Sequence, residues 1–160
     1  MSFEKLPKRN FKEKISNNLF IQFDEFIESN TSKETLVFDT NFLFVPFEFR
    51  VEIIGEIQKL LGNSVSFVIV EETLQELEQV EKKGDKNKKF LPLIATFLNR
   101  YNVQILTQIN TNQTSHVDDT LCTLPKDFTI ATNDKELRHR LWEIPKRVIF
   151  MRQKSYLDIK

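Results

Sequence analysis

Apolar positions recur along the chain with two distinct periods. Between residues 11 and 28, Phe11, Ile15, Leu19, Phe23 and Phe26/Ile27 fall at helical spacing. That stripe predicts one helix, closed by Asn30-Thr31-Ser32. Arg50–Leu61 repeats the pattern through Val51, Ile54, Ile57 and Leu60/Leu61, and stops at Gly62-Asn63. Further helices are expected over Glu71–Lys83, Phe90–Arg100 with Pro92 in its first turn, Asp119–Leu124 before Pro125, and Lys135–Glu143. Short apolar runs predict strands at 36–39, 65–70, 103–106, 128–132 and 147–151. A charge-dense turn, Lys82–Lys89, and a polar loop, Thr107–Val117, separate some of these elements. Strands alternating with helices imply crossover units, hence an α/β three-layer domain: a parallel sheet of about five strands with helices on both faces. Residues 1–35 read as an N-terminal helical extension and residues 36–158 as the domain proper.

In such a sheet ligands bind beyond the carboxyl ends of the strands. Four acids are placed to reach that rim. Asp39 closes the first strand, and Glu76 lies one and a half turns into the helix after the second. Asp118-Asp119 opens the short helix after the third strand, and Asp134 follows the fourth. Each has an ordinary alternative. Asp39 suits an Asx-turn, Glu76 could return a capping-box bond to Thr73, and Asp118, Asp119 and Asp134 are good helix N-caps. As a set they would repel one another unless a cation lay between them. With no cysteine or histidine among them, the donors are all oxygen, which suits Mg²⁺ or Mn²⁺. Such an ion can hold a phosphate oxygen and acidify water for in-line attack, the chemistry of phosphodiester hydrolysis.

Composition narrows the field. A chain of 160 residues holds one ordinary domain, and with 23 basic and 23 acidic residues its formal charge is zero. A uniformly basic nucleic-acid wrapper is excluded, though local patches are not. Cys122 is the only cysteine, so neither a disulfide nor a multi-cysteine zinc site is available. No apolar run approaches membrane-spanning length, and the basic N-terminus lacks an apolar signal core. A soluble, cytoplasmic protein without membrane partners is expected, and the sequons at Asn30 and Asn112 then carry no meaning.

Val37-Phe38-Asp39-Thr40-Asn41-Phe42-Leu43, Glu76-Leu77-Glu78, Asp118-Asp119 and Ala131-Thr132-Asn133-Asp134 together resemble the acidic signature of the PIN-domain nucleases. Lys135–Asp158 is similar to the archaeal and eukaryotic branch related to the small-subunit processome endonuclease, more than to the VapC-type toxins. The resemblance implies a metal-dependent endoribonuclease in which Asp39, Glu76, Asp119 and Asp134 are catalytic. The same four, with Asp118 as neighbour and deputy of Asp119, would hold one or two Mg²⁺ or Mn²⁺ ions. Thr40, Asn41, Asn133 and Arg138 are the implied substrate contacts, Arg138 either on phosphate or in an ion pair with Asp134. Single-stranded RNA, including precursor ribosomal RNA, is the implied substrate and ribosome-assembly factors are the implied partners; a second copy of the chain, paired through residues 1–35, is a separate candidate partner. Three other readings stand beside it: a non-catalytic PIN module, a toxin ribonuclease, and an aspartyl phosphatase. The last is disfavoured because Asn41 stands where that class wants a second aspartate.

RNA at an acidic site needs cations. Lys135, Arg138 and Arg140 lie on the helix after Asp134, followed by Lys146, Arg147, Arg152 and Lys154. A second group is Lys5, Lys8, Arg9, Lys12 and Lys14; a third, in the Lys82–Lys89 turn, reads as an ordinary solvated face. Phenylalanine numbers 15, against two tyrosines and one tryptophan. Phe38 and Phe42 are expected in the core, Phe47 or Phe49 exposed for base stacking. His116 could shuttle protons but reads more simply as a loop residue, and His139, Trp142 and Cys122 are assigned to structure.

Overall fold

The computed structural model describes residues 9–109 and 116–160. Lys5, Lys8 and most of the polar loop, with the Asn112 sequon, lie outside the described residues. The strands are β1 (Phe20–Gln22), β2 (Glu34–Phe38), β3 (Val65–Val70), β4 (Gln104–Thr107), β5 (Thr129–Ala131), β6 (Val148–Arg152) and β7 (Tyr156–Ile159). They form one sheet in the order β1-β4-β3-β2-β5-β6-β7, parallel throughout except for the β6–β7 pair. The helices are α1 (Phe23–Ser29), α2 (Val45–Glu48), α3 (Ile53–Leu61), α4 (Glu71–Lys83), α5 (Leu91–Arg100), α6 (Val117–Thr123) and α7 (Lys135–Glu143).

Strand side chains alternate between two cores. Leu36 and Phe38 of β2, with Phe67 and Ile69 of β3, join the core built with α3, α4 and α5. Val37, Val68 and Val70 join the other, with Phe26, Val117, Leu121, Leu137 and Leu141 from α1, α6 and α7. A sheet covered on both faces is why its central strands read as unbroken apolar runs. The three-layer α/β architecture expected from the sequence is the architecture found.

Two strands are additional. Residues 11–28 do not form one helix: two 3-10 turns (Lys12–Lys14 and Asn17–Leu19) lead into β1, then α1. Phe11, Ile15, Leu19 and Phe26 are nonetheless buried, so the stripe marks what is covered and not the backbone that presents it. At the other edge, Gln153 and Lys154 both adopt positive φ (54° and 55°) and turn β6 into β7. Such hairpin turns normally carry Asn or Gly, so the signal is missing from the sequence.

The short α6 is secured at its C-terminal end. Lys146, 4% exposed, donates from Nζ to the carbonyl oxygens of Leu124 (2.7 Å) and Pro125 (2.6 Å). Burial pushes its pKa down, with Asp127 opposing. The cation therefore belongs to the interior, not to an RNA-facing surface. Lys146→Met would leave two carbonyls unpaired while removing the cost of burying the ammonium. A net loss of about 2 kcal/mol is expected in urea unfolding.

Candidate active site

Chain order reverses at β2: β3 and β4 lie to one side, β5 and β6 to the other. Open α/β sheets bind ligands at such a switch. Asp39 leaves β2 and Asp134 follows β5, so both emerge at the same end of neighbouring parallel strands. The ladder continues into Asp39, whose backbone N–H donates to the Ala131 carbonyl at 2.9 Å.

Thr132 joins the two acids. Its hydroxyl donates to Asp39 Oδ2 at 2.7 Å and accepts the Asp134 backbone N–H at 3.1 Å. The Thr40 N–H donates to Asp39 Oδ1 at 2.8 Å, while Asp134 Oδ1 accepts from Glu136 N–H (2.9 Å) and Leu137 N–H (3.2 Å). Both aspartates thus cap the turns that follow them, and those capping bonds orient their carboxylates at the rim. Fully buried Thr132 is a site residue that sequence reasoning passed over. Its signal was present: a hydroxyl residue two positions before Asp134 at a strand end is the spacing of a hydroxyl-to-backbone turn.

Glu76 comes from α4 and is exposed, whereas Asp118 stands half-buried in the first turn of α6. The capping box expected from Thr73 and Glu76 is not formed. α4 begins two residues earlier, at Glu71, and Thr73 lies inside it with its hydroxyl buried and unpartnered. Glu76 is thereby released from that ordinary role.

Electrostatics ties the acids together. Asp39 is 4% exposed, and burial raises its pKa to about 6. The Thr132 and Thr40 hydrogen bonds oppose that rise, while the fields of Asp118 and Glu76 add to it. Asp118 is raised first by burial and then by Asp134, with Arg140 opposing. Asp39, Glu76, Asp118 and Asp134 therefore interact, and Asp119 adds its own field to Asp118. Asp119 is placed differently: Arg140 holds its carboxylate at 2.9 Å, and its side chain is 38% exposed. It shares a hollow of about 300 Å³ with Glu76, His116 and Asp118. His116 is the N-cap residue of α6.

Beside the acids runs a groove of about 640 Å³, whose lining includes Thr40, Asn41, Asn133, Glu76, Phe49 and Lys83. The Thr40 hydroxyl is buried there without a partner. Asn133 Oδ1 accepts the Met151 N–H at 2.8 Å, fixing the Thr-Asn-Asp turn to β6. Phe49 and Phe47 are half-buried, neither fully exposed as expected. Arg138 makes no ion pair with Asp134 among the described residues. Its guanidinium lies over Phe150 at 4.6 Å and Trp142 at 5.9 Å, and its Nε is buried without a partner.

Among the described residues no three acidic, histidine or cysteine side chains stand close enough together to hold a metal ion as they are placed. In its chemistry the donor set is nonetheless of the kind a hard divalent cation prefers. It is all carboxylate, one member is buried and held largely uncharged below pH 6, and the acids press on one another.

The family described as PIN like domain matches residues 36–154, and the chain belongs to it, as the acidic motifs indicated. Among curated proteins, Ribonuclease VapC4 of Methanocaldococcus jannaschii is 30% identical over 130 residues, spanning 78% of this chain and 95% of that protein. Among solved structures, the PIN domain endonuclease Utp24 superposes with a TM-score of 0.61 at 20% identity, covering 79% of this chain and 90% of the other. That second likeness is one of fold.

Proposed function

We propose that this chain is a divalent-metal-dependent endoribonuclease that hydrolyses single-stranded RNA. The observation that carries it is buried Asp39, at the topological switch, pressed by Asp118 and Glu76. Carboxylates crowded this way favour a cation strongly. Asp39, Glu76, Asp118 and Asp134 would hold one or two Mg²⁺ or Mn²⁺ ions, with Asp118 in the third place and Asp119 occupied by Arg140. Bound there, the metal supplies charge neutralisation at the phosphate and acidification of the attacking water. Thr132 holds the Asp39 carboxylate in register with Asp134. Thr40, Asn41 and Asn133 line the groove beside the acids and would contact the substrate there. Phe49 gives that groove an aromatic wall suited to an unstacked base. RNA rather than DNA is supported by the ribonuclease name of the curated relative. Precursor ribosomal RNA, with assembly factors as partners, is the finer proposal and rests on the processome-like motifs.

The purified chain is expected to cut a labelled single-stranded RNA with Mn²⁺ and to stop on addition of EDTA, leaving 5′-phosphate ends. Binding without cutting under Mn²⁺ and Mg²⁺ alike would leave an RNA-binding module in place of an enzyme.

A further inference from the structure

The cations expected to receive RNA are largely spent inside the molecule. Arg140 holds Asp119, Arg147 holds Glu34, and Arg152 holds Asp158. Lys146 is buried on two carbonyls, Arg138 lies over Phe150, and Lys160 over Trp142. In a chain of zero net charge, the cations left available decide where a polyanion can settle.

Lys135 stays exposed next to Asp134 and Lys154 lies over Phe49 at 5.9 Å, while a further set of cations gathers elsewhere. A cleft of about 610 Å³ is lined by Arg9 and Lys14 from the N-terminal segment and by Lys88 from the α4–α5 connection. All three are exposed, and among the described residues none makes an ion pair. Glu81, the one acid among its lining residues, spends Oε2 on the Phe11 N–H at 2.9 Å. The segment bearing Arg9 and Lys14 is fixed in place. Phe11 and Ile15 are buried, Ser16 N–H donates to Asn99 Oδ1 (2.9 Å), and Asn99 Nδ2 donates to the Lys14 carbonyl (2.8 Å). The end of α4 and the connection after it part this cleft from the groove beside the acids: Gln79, Val80, Lys83, Asp85 and Asn87 line the groove, Glu81 and Lys88 the cleft.

The geometry points to a second RNA-binding site in this cleft, where Arg9, Lys14 and Lys88 grip backbone phosphates of the same single strand whose scissile bond lies at the acids. The inference rests on the ribonuclease reading for its ligand. It also goes beyond that reading, because Arg9 and Lys14 lie outside the segment matched to the PIN-like family. The strand would cross the lysine-rich connection between groove and cleft. Phosphate gripping of this kind is indifferent to sequence and sensitive to salt.

The test is anisotropy of a labelled single-stranded RNA of about 12 nucleotides on the full chain in EDTA, so that no cleavage is needed. The triple variant Arg9→Ala/Lys14→Ala/Lys88→Ala is expected to weaken binding roughly tenfold or more at about 0.1 M salt. The slope of log K against log salt should become shallower by about 2, since each single-strand phosphate contact contributes about 0.7. The charge-keeping variant Arg9→Lys/Lys14→Arg/Lys88→Arg should restore both, and a trinucleotide should bind the wild type and both variants alike. Unchanged slope and affinity in a triple variant with wild-type circular dichroism would overturn the site. So would a loss that the charge-keeping variant does not restore, or loss of binding to an acidic peptide with RNA binding intact. Failure of the enzyme reading shows separately, as absence of Mn²⁺-dependent cutting while the salt slope still responds.

Discussion

Asp39→Asn is expected to make the protein more stable at neutral pH while abolishing cleavage. Asp39 is buried with a pKa near 6, above its ordinary value of 3.8, so the native state binds this proton more tightly than the unfolded chain does. The sign follows from linkage: stability from this group is full below the unfolded pKa and falls as pH rises through 6. Above that, the ionised carboxylate costs about 3 kcal/mol. The neutral amide removes the cost but spoils one of the acceptor positions used by Thr132 and Thr40, which returns about 1 kcal/mol. The net gain of roughly 1–2 kcal/mol corresponds to a rise of about 2–8 °C in thermal midpoint for a chain of this size.

Three readouts check this. In EDTA, the wild type should lose stability between about pH 4 and 6 relative to Asp39→Asn, because only the wild type has the group that titrates there. With Mn²⁺ the order should close or invert, since a ligand at a hundred times its Kd adds about 2.7 kcal/mol to the state that binds it. Cleavage should fall by more than the roughly 100-fold that changes around a metal ligand cost. A variant no more stable than wild type at pH 7, with the same pH profile, would show that Asp39 is not strained by its neighbours.

Much of this was readable from residue order. Buried parallel strands announce themselves as apolar runs, and acids set directly after them must lie at one edge if the strands are parallel. What could not be read was conformation at the sheet edges and competition among charges. The stripe from Phe11 to Phe26 is compatible with any backbone that buries every third or fourth side chain. Here 3-10 turns and an edge strand do so. The hairpin into β7 is made by Gln153 and Lys154, which carry none of the usual turn chemistry. Charge pairing across α6 and α7 depends on how two helices face each other. Neither Arg140 taking Asp119 nor Lys146 turning inward is written in local spacing. Both bear on the proposed site. One places the adjacent carboxylates in different surroundings, and the other holds the end of the short helix that carries them.

Adjacent Asp118 and Asp119 should respond oppositely to the same substitution. On a helix, neighbours in sequence point about 100° apart, so two consecutive carboxylates cannot occupy one position in a site. Asp118 feels Asp134 and presses on Asp39, whereas Asp119 is held by Arg140 on a partly exposed face. Asp118→Asn is expected to lower kcat/KM by more than about 100-fold, as the loss of a carboxylate from a metal-holding set should. It should also bring the Asp39 pKa down, because one of the fields raising it disappears; the loss of stability above about pH 4 then becomes smaller and is complete at a lower pH than in the wild type. Asp119→Asn removes a surface ion pair contributing at most about 1 kcal/mol, and is expected to leave kcat/KM within roughly fivefold. Cleavage rates and pH-dependent melting of the two variants side by side decide it. The reverse order, with Asp119→Asn inactive and Asp118→Asn near wild type, would give Asp119 the third place and require Arg140 to release it when metal binds.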